Sequence, residues 1–91
     1  MSTRLTQGRR IFVNEEGYLI LEKPGDYGRD KEGKWWARVP LIGYSMGSLG
    51  NHEVFENADG TITVTPSILM NGNGDKPAWH GYLTDGVWHN V

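Results

Sequence analysis

The sequence contains no cysteine. That absence removes thiolate nucleophiles, disulfide staples and any Cys-ligated zinc or iron–sulfur site. It also fits a chain that works in a reducing cytosol. Long apolar runs are missing too, and no stretch approaches the roughly 20 residues that cross a bilayer as a helix. The opening residues, Met-Ser-Thr-Arg-Leu-Thr-Gln, lack the apolar centre of a secretory signal. The expected location is the cytoplasm, with no membrane partner. Strong charge of either sign is absent as well. A net charge of −2 and a pI near 5.8 give no footprint for general nucleic-acid binding, and are too mild for an acidic DNA mimic.

Helical periodicity is the last thing missing. Thirteen glycines and four prolines punctuate 91 residues, which leaves short β-branched and aromatic runs between turn residues. A chain this short forms one domain, residues 1–91, with residues 1–8 expected as a flexible tail. The fold class is mainly β: a small antiparallel meander of about seven short strands, as a sandwich or partly open barrel.

The strands read as follows. Arg10 to Asn14 and Tyr18 to Lys23 form a hairpin about Glu15-Glu16-Gly17, and residues 24–33 form a solvated loop. Lys34 to Val39 is a strand ended by Pro40. Residues 41–51 are too rich in glycine for regular structure, apart from one helical turn within Tyr44 to Leu49. His52 to Asn57 and Thr61 to Thr65 flank an Asp59-Gly60 turn, with Ile62 and Val64 facing inward. A two-residue turn would pair Phe55 with Val64, and a three-residue loop would pair Val54 with Val64. Pro66 makes Ser67 to Met70 an edge strand or a bent continuation. The last hairpin runs from Ala78 to Leu83, turns at Thr84-Asp85-Gly86 and returns through Val87 to Asn90.

Two segments resemble a family of small bacteriophage and prophage proteins classed as a domain of unknown function. They are Asp-Gly-Thr-Ile-Thr-Val-Thr-Pro-Ser-Ile-Leu (59–69) and Trp-His-Gly-Tyr-Leu-Thr-Asp-Gly-Val-Trp (79–88), preceded by Leu49-Gly50-Asn51-His52. The resemblance covers roughly residues 47–90. It implies a viral setting and a β fold, and it implies no chemistry. Longer members carry cysteine pairs that look metal-binding, which this chain lacks.

Catalytic constellations are sparse. Gly43-Tyr44-Ser45-Met46-Gly47 spells a nucleophile elbow, yet a chain of this length cannot hold the α/β sheet that exposes such a serine. Asn71-Gly72-Asn73-Gly74 could cradle an anion, but it matches no phosphate-loop pattern and reads better as a hairpin connection. His52, His80 and His89 would need a carboxylate to make a metal site. No carboxylate stands at a telling spacing, so no cofactor and no metal are expected.

Aromatic residues carry more information, with four Trp and four Tyr against two Phe. Trp35 and Trp36 fall on opposite faces of one strand, so one of them can meet a partner beside Lys34 and Arg38. A two-residue turn in the last hairpin sets Tyr82 opposite His89 and Leu83 opposite Trp88, with His80 on the Tyr82 face. The candidate binding residues are therefore Trp35, Trp36, Arg38, Trp79, His80, Tyr82, Trp88 and His89. Three readings follow, in this order. The first is a phage-encoded, non-enzymatic protein that binds and modulates a host protein, such as one of a defence system. The second is a binder that sequesters a small ligand or nucleotide signal. The third is a histidine-based metal-dependent enzyme. Homodimerisation through a sheet edge or an apolar face is compatible with all three.

Overall fold

The computed structural model describes residues 4–72, 74–75 and 77–91. Asn73 and Lys76 of the polar loop lie outside the described residues, and so does that part of the hairpin connection expected at residues 71–74. Among the described residues nine strands follow in chain order: β1 (Arg4–Gln7), β2 (Arg9–Ile11), β3 (Asp26–Arg29), β4 (Trp35–Ala37), β5 (Gly47–Ser48), β6 (Glu53–Glu56), β7 (Ile62–Met70), β8 (Trp79–Thr84) and β9 (Val87–Asn90). There is no helix among the described residues. The fold class is all-β, as the glycine punctuation predicts. One sheet has the order β1-β9-β8-β7-β6 and the other β2-β3-β4-β5. Every pairing is antiparallel except β2 with β3.

The two C-terminal hairpins form where their turns allow. Asp85 and Gly86 both take positive φ, 49° and 79°, the type I′ geometry that suits a two-residue hairpin. Leu83 therefore faces Trp88 and Tyr82 faces His89, as the sequence predicts. The other Asp-Gly pair behaves differently. Asn57 and Thr61 close a three-residue loop in which Gly60 alone takes positive φ, so Val54 pairs with Val64. Pro66 follows a cis peptide bond inside β7, and the register against β8 shifts between Val64 and Ile68. Beyond that shift the strand continues, bent, to Met70.

The N-terminal half corrects the sequence reading in four places. Residues 4–7 are not a tail, because β1 pairs with β9. Arg10 does not begin a hairpin with residues 18–23; β2 lies parallel to β3 instead. The turn at Asn14 is real, with the Asn14 N–H donating to the Tyr18 carbonyl at 2.8 Å, but its return arm is not a strand. Residues 24–33 are no solvated loop, since Asp26, Tyr27 and Gly28 of β3 are buried. The fourth correction is the helical turn within 44–49, which is the short strand β5.

What drives β3 inward is a partner far away in sequence. Arg9 clamps the Asp26 carboxylate through Nε and a terminal guanidinium nitrogen at 3.0 and 2.8 Å, and the Lys23 amide adds a third bond at 3.0 Å. A buried carboxylate is tolerated when its lone pairs are filled this way. Tyr27 then enters the core with Ala37 from one sheet, facing Ile62, Val64, Leu83 and Trp88 from the other. Trp79 and Trp88 meet edge to face at 5.4 Å, and the Trp88 indole N–H donates to the Gly25 carbonyl at 2.9 Å. These two tryptophans are core residues, not partner contacts as the sequence had suggested.

Candidate interaction site

One side of the molecule is left open between the sheets at the β5 and β6 edges. There β5, two residues long, borders one sheet, while β6 borders the other and reaches only part of β7. A cleft of about 440 Å³ opens at this side, lined by Lys34, Trp35, Leu49, His52 and Val54. Behind Leu49 and His52, a narrower trough of about 110 Å³ continues between the sheets, lined by Ala37, Val39, Ile68 and Met70. The larger volume falls in the range of small-ligand sites.

Trp35 enters this cleft because its strand alternates: Ala37 faces the core, and Trp35, two residues earlier, shares that face. It is half-buried, with the Arg10 guanidinium 4.9 Å and the Arg29 guanidinium 5.6 Å from its ring. Arg10 in turn crosses between the sheets to Glu56 at 2.7 Å and to the Gly60 carbonyl at 2.8 Å. A ring flanked by two guanidinium groups is preorganised, and with Arg10 paired to Glu56 it is Arg29 and Lys34 that bring uncompensated positive charge beside it.

His52 stands in the wall between cleft and trough. Its Nε2 lies 3.2 Å from the Ser67 carbonyl, which can only accept, so Nε2 carries the hydrogen. Its Nδ1 is buried without a partner. A buried, unsatisfied ring nitrogen is uncommon and marks a place where a donor would be welcome.

The other predicted residues are scattered. Trp36 sits on the opposite face and donates its indole N–H to Asp30 at 2.8 Å; that bond and the Lys34 amide hold the Asp30 carboxyl below its ordinary pKa. Arg38 is structural, spending its guanidinium on the Leu21, Glu22 and Tyr44 carbonyls. His80, Tyr82 and His89 do share a face, the outer face of the larger sheet, where the His80 and Tyr82 rings lie 6.5 Å apart. They share it with the exposed Leu5 and Leu69. His80 Nε2 meets the Ser67 hydroxyl at 2.9 Å. The three histidines form no metal site, and among the described residues no group of three His, Asp or Glu side chains is placed to hold an ion. No helix among them is long and apolar enough to cross a membrane.

Trp35 and Lys34 are legible in the sequence as candidate binding residues, whereas Leu49, Val54, Ile68 and Met70 are not. Nothing in the local pattern of those residues marks them, because the cleft arises between strand edges distant in the chain. Comparison with family models, with curated proteins and with solved structures finds no match for this chain.

Proposed function

We propose that this protein is a non-enzymatic binding module that engages a partner protein through the cleft beside Trp35. The observation that carries this reading is the open side of the molecule, where an aromatic ring, two aliphatic side chains and an unsatisfied imidazole converge. Tryptophan and arginine are the residues most often found at the energetic centre of protein interfaces. The phage resemblance of residues 47–90 suggests the partner's source, a protein of the bacterial host cytoplasm whose activity the module would modulate.

Affinity capture from bacterial lysate tests this when run in parallel with Trp35→Ala and Val54→Arg variants of verified fold. A partner recovered by the wild type and lost by both variants is the expected result. Recovery by neither the wild type nor the variants, or equally by all three, overturns the reading.

Nucleotide sequestration is the second reading, and the positive rim of Arg29 and Lys34 about Trp35 favours it. A base could pack edge to face against Trp35 while Arg29 and Lys34 hold phosphate. A ligand that binds only the folded chain raises its melting temperature. A screen of mono-, di- and cyclic dinucleotides that yields no shift removes this alternative.

A further inference from the structure

The trough, like the cleft, is bordered by a strand edge, and here that edge belongs to β7. β6 pairs with β7 from Glu53↔Thr65 to Glu56↔Ile62 and no further, because the chain turns away where the His52 N–H donates to the Leu49 carbonyl at 3.0 Å. Ser67–Met70 therefore has β8 on one side and, among the described residues, no strand on the other.

Which groups face that open side follows from the ladder. The two-residue turn makes Thr84 and Val87 a hydrogen-bonded pair, so Tyr82 and His80 also direct their main-chain groups at β9. The Val91 N–H donating to the His80 carbonyl at 2.9 Å fits this alternation. Gly81 and Trp79 point the other way and bond their partners Ile68 and Met70. Ser67 and Leu69 must then turn their groups outward, away from β8. The His52 contact with the Ser67 carbonyl reports that direction directly. Leu69 presents both its N–H and its carbonyl along the open edge.

Exposed edges are usually blunted by charge, proline or a covering loop. This one is flanked by Ile68, Leu69 and Met70, with the apolar trough directly beneath. We propose that Ser67–Met70 is a strand-addition site that accepts a short extended segment of a partner protein. Leu69 supplies the donor and acceptor for pairing, and one aliphatic side chain of the segment enters the trough beside Ile68 and Met70. Alternation along the incoming strand sends its next side chain to solvent. A compact small molecule could fill the trough, but it would not match the paired donor and acceptor of a strand. The inference rests on the binding-module reading and names the chemistry of its partner.

The test uses the full chain and a displayed library of linear peptides about eight residues long, enough to span the edge. A selected peptide is titrated against the wild type, Leu69→Pro and Leu69→Ala, and again after N-methylation of its paired residues. Proline removes only an N–H that β8 does not use, and edge strands tolerate it. Leu69→Pro and N-methylation are each expected to weaken binding by about tenfold or more, as loss of main-chain pairing should. Leu69→Ala keeps the N–H and should stay near wild type. Protection of the Leu69 amide from hydrogen exchange on binding is the accompanying signature.

Failure to select any linear peptide overturns the proposal. So does a peptide indifferent to both Leu69→Pro and N-methylation; if Trp35→Ala abolishes its binding, the module reading survives while strand addition falls. Loss of binding in none of the variants removes both. A concentration-dependent wild-type dimer abolished by Leu69→Pro would give the edge to a second copy and overturn the claim of a foreign segment. Should Leu69→Pro not fold, the N-methylated peptide decides alone.

Discussion

The His52 imidazole meets the Ser67 carbonyl at 3.2 Å, and this one contact marks where β6 stops accompanying β7. On one side of it β7 has a strand on each flank; on the other, β7 runs on as an edge. The same ring separates the cleft from the trough. His52→Ala should therefore cost about 1 kcal/mol for the lost hydrogen bond and join the two cavities. Chemical denaturation measures the loss. Amide shift changes confined to Glu53–Glu56, Ser67–Met70 and Leu49 would confirm that the effect is local, and changes spread through the core would contradict it.

Acid should unfold the protein from the Asp26 side. Burial pushes the Asp26 carboxyl up, but the Arg9 fork and the Lys23 and Glu22 amides outweigh it and hold the group below its ordinary value. Asp30 and Asp59 are held low as well, the first by the Trp36 indole and the second by the Thr61 hydroxyl and amide. A carboxyl depressed in the fold stabilises it above the unfolded pKa, near 3.9, and loses that contribution as pH falls through the lower folded value. The melting temperature should hold steady above about pH 5 and fall steeply below about pH 4. Asp26→Asn should flatten this fall and cost about 1–3 kcal/mol at neutral pH, since the amide cannot serve the same donors. An unchanged acid limb in that variant would remove Asp26 as its source.

Gly81 should not tolerate a side chain. A Cβ there would collide with the His89 carbonyl oxygen and come within 2.6 Å of the Trp79 ring. Neither can retreat easily, because one is main chain in the paired strand and the other is packed in the core. Gly81→Ala should cost about 1–3 kcal/mol by overpacking, read as a lower urea midpoint at unchanged slope.

How far these relationships can be read in the sequence differs along the chain. The hairpins from Glu53 onward are legible because their signals are local: Asp-Gly turns and the alternation of Thr61 to Thr65. β3 is illegible by the same logic. Asp26-Tyr27-Gly28-Arg29 has the composition of a loop, and only the distant Arg9 and the Leu19 side chain, packed where a Gly28 Cβ would lie, make it a buried strand. β1 is hidden because its partner β9 is at the other end of the chain. At the site, Trp35 is readable as an aromatic beside basic residues, whereas Leu49 and Met70 acquire meaning only once two edges face one another. Trp79 and Trp88 mislead because aromatic richness cannot by itself separate core from surface.

Metal should neither bind nor matter. His52 and His80 both direct Nε2 at different atoms of Ser67, one at the carbonyl and one at the hydroxyl, from different sides of the strand. His89 belongs to the outer face across from Tyr82. Tight zinc sites need three or four ligands converging at roughly 2 Å from the ion. Chelator-treated and zinc-supplemented protein should melt at the same temperature. A zinc-dependent rise lost in His80→Ala would show a site assembled by movement.

The last expectation concerns Trp88, the residue that ties the two sheets together. It is wholly buried, stacks edge to face on Trp79, and reaches past the end of its own sheet to the Gly25 carbonyl, just ahead of β3. Trp88→Phe keeps an aromatic body but removes the indole N–H and part of the volume. The Gly25 carbonyl is then left without that donor, and the space beside Trp79 is underfilled. Together these should cost about 2–4 kcal/mol, a large share of what a domain this size has. Because Gly25 also donates its N–H to Arg38 at the head of the β3–β4 pair, the smaller sheet should loosen first. Hydrogen exchange would show this as faster exchange in Asp26–Ala37 than in β8 and β9. Uniform acceleration across both sheets would mean instead that Trp88 contributes bulk alone.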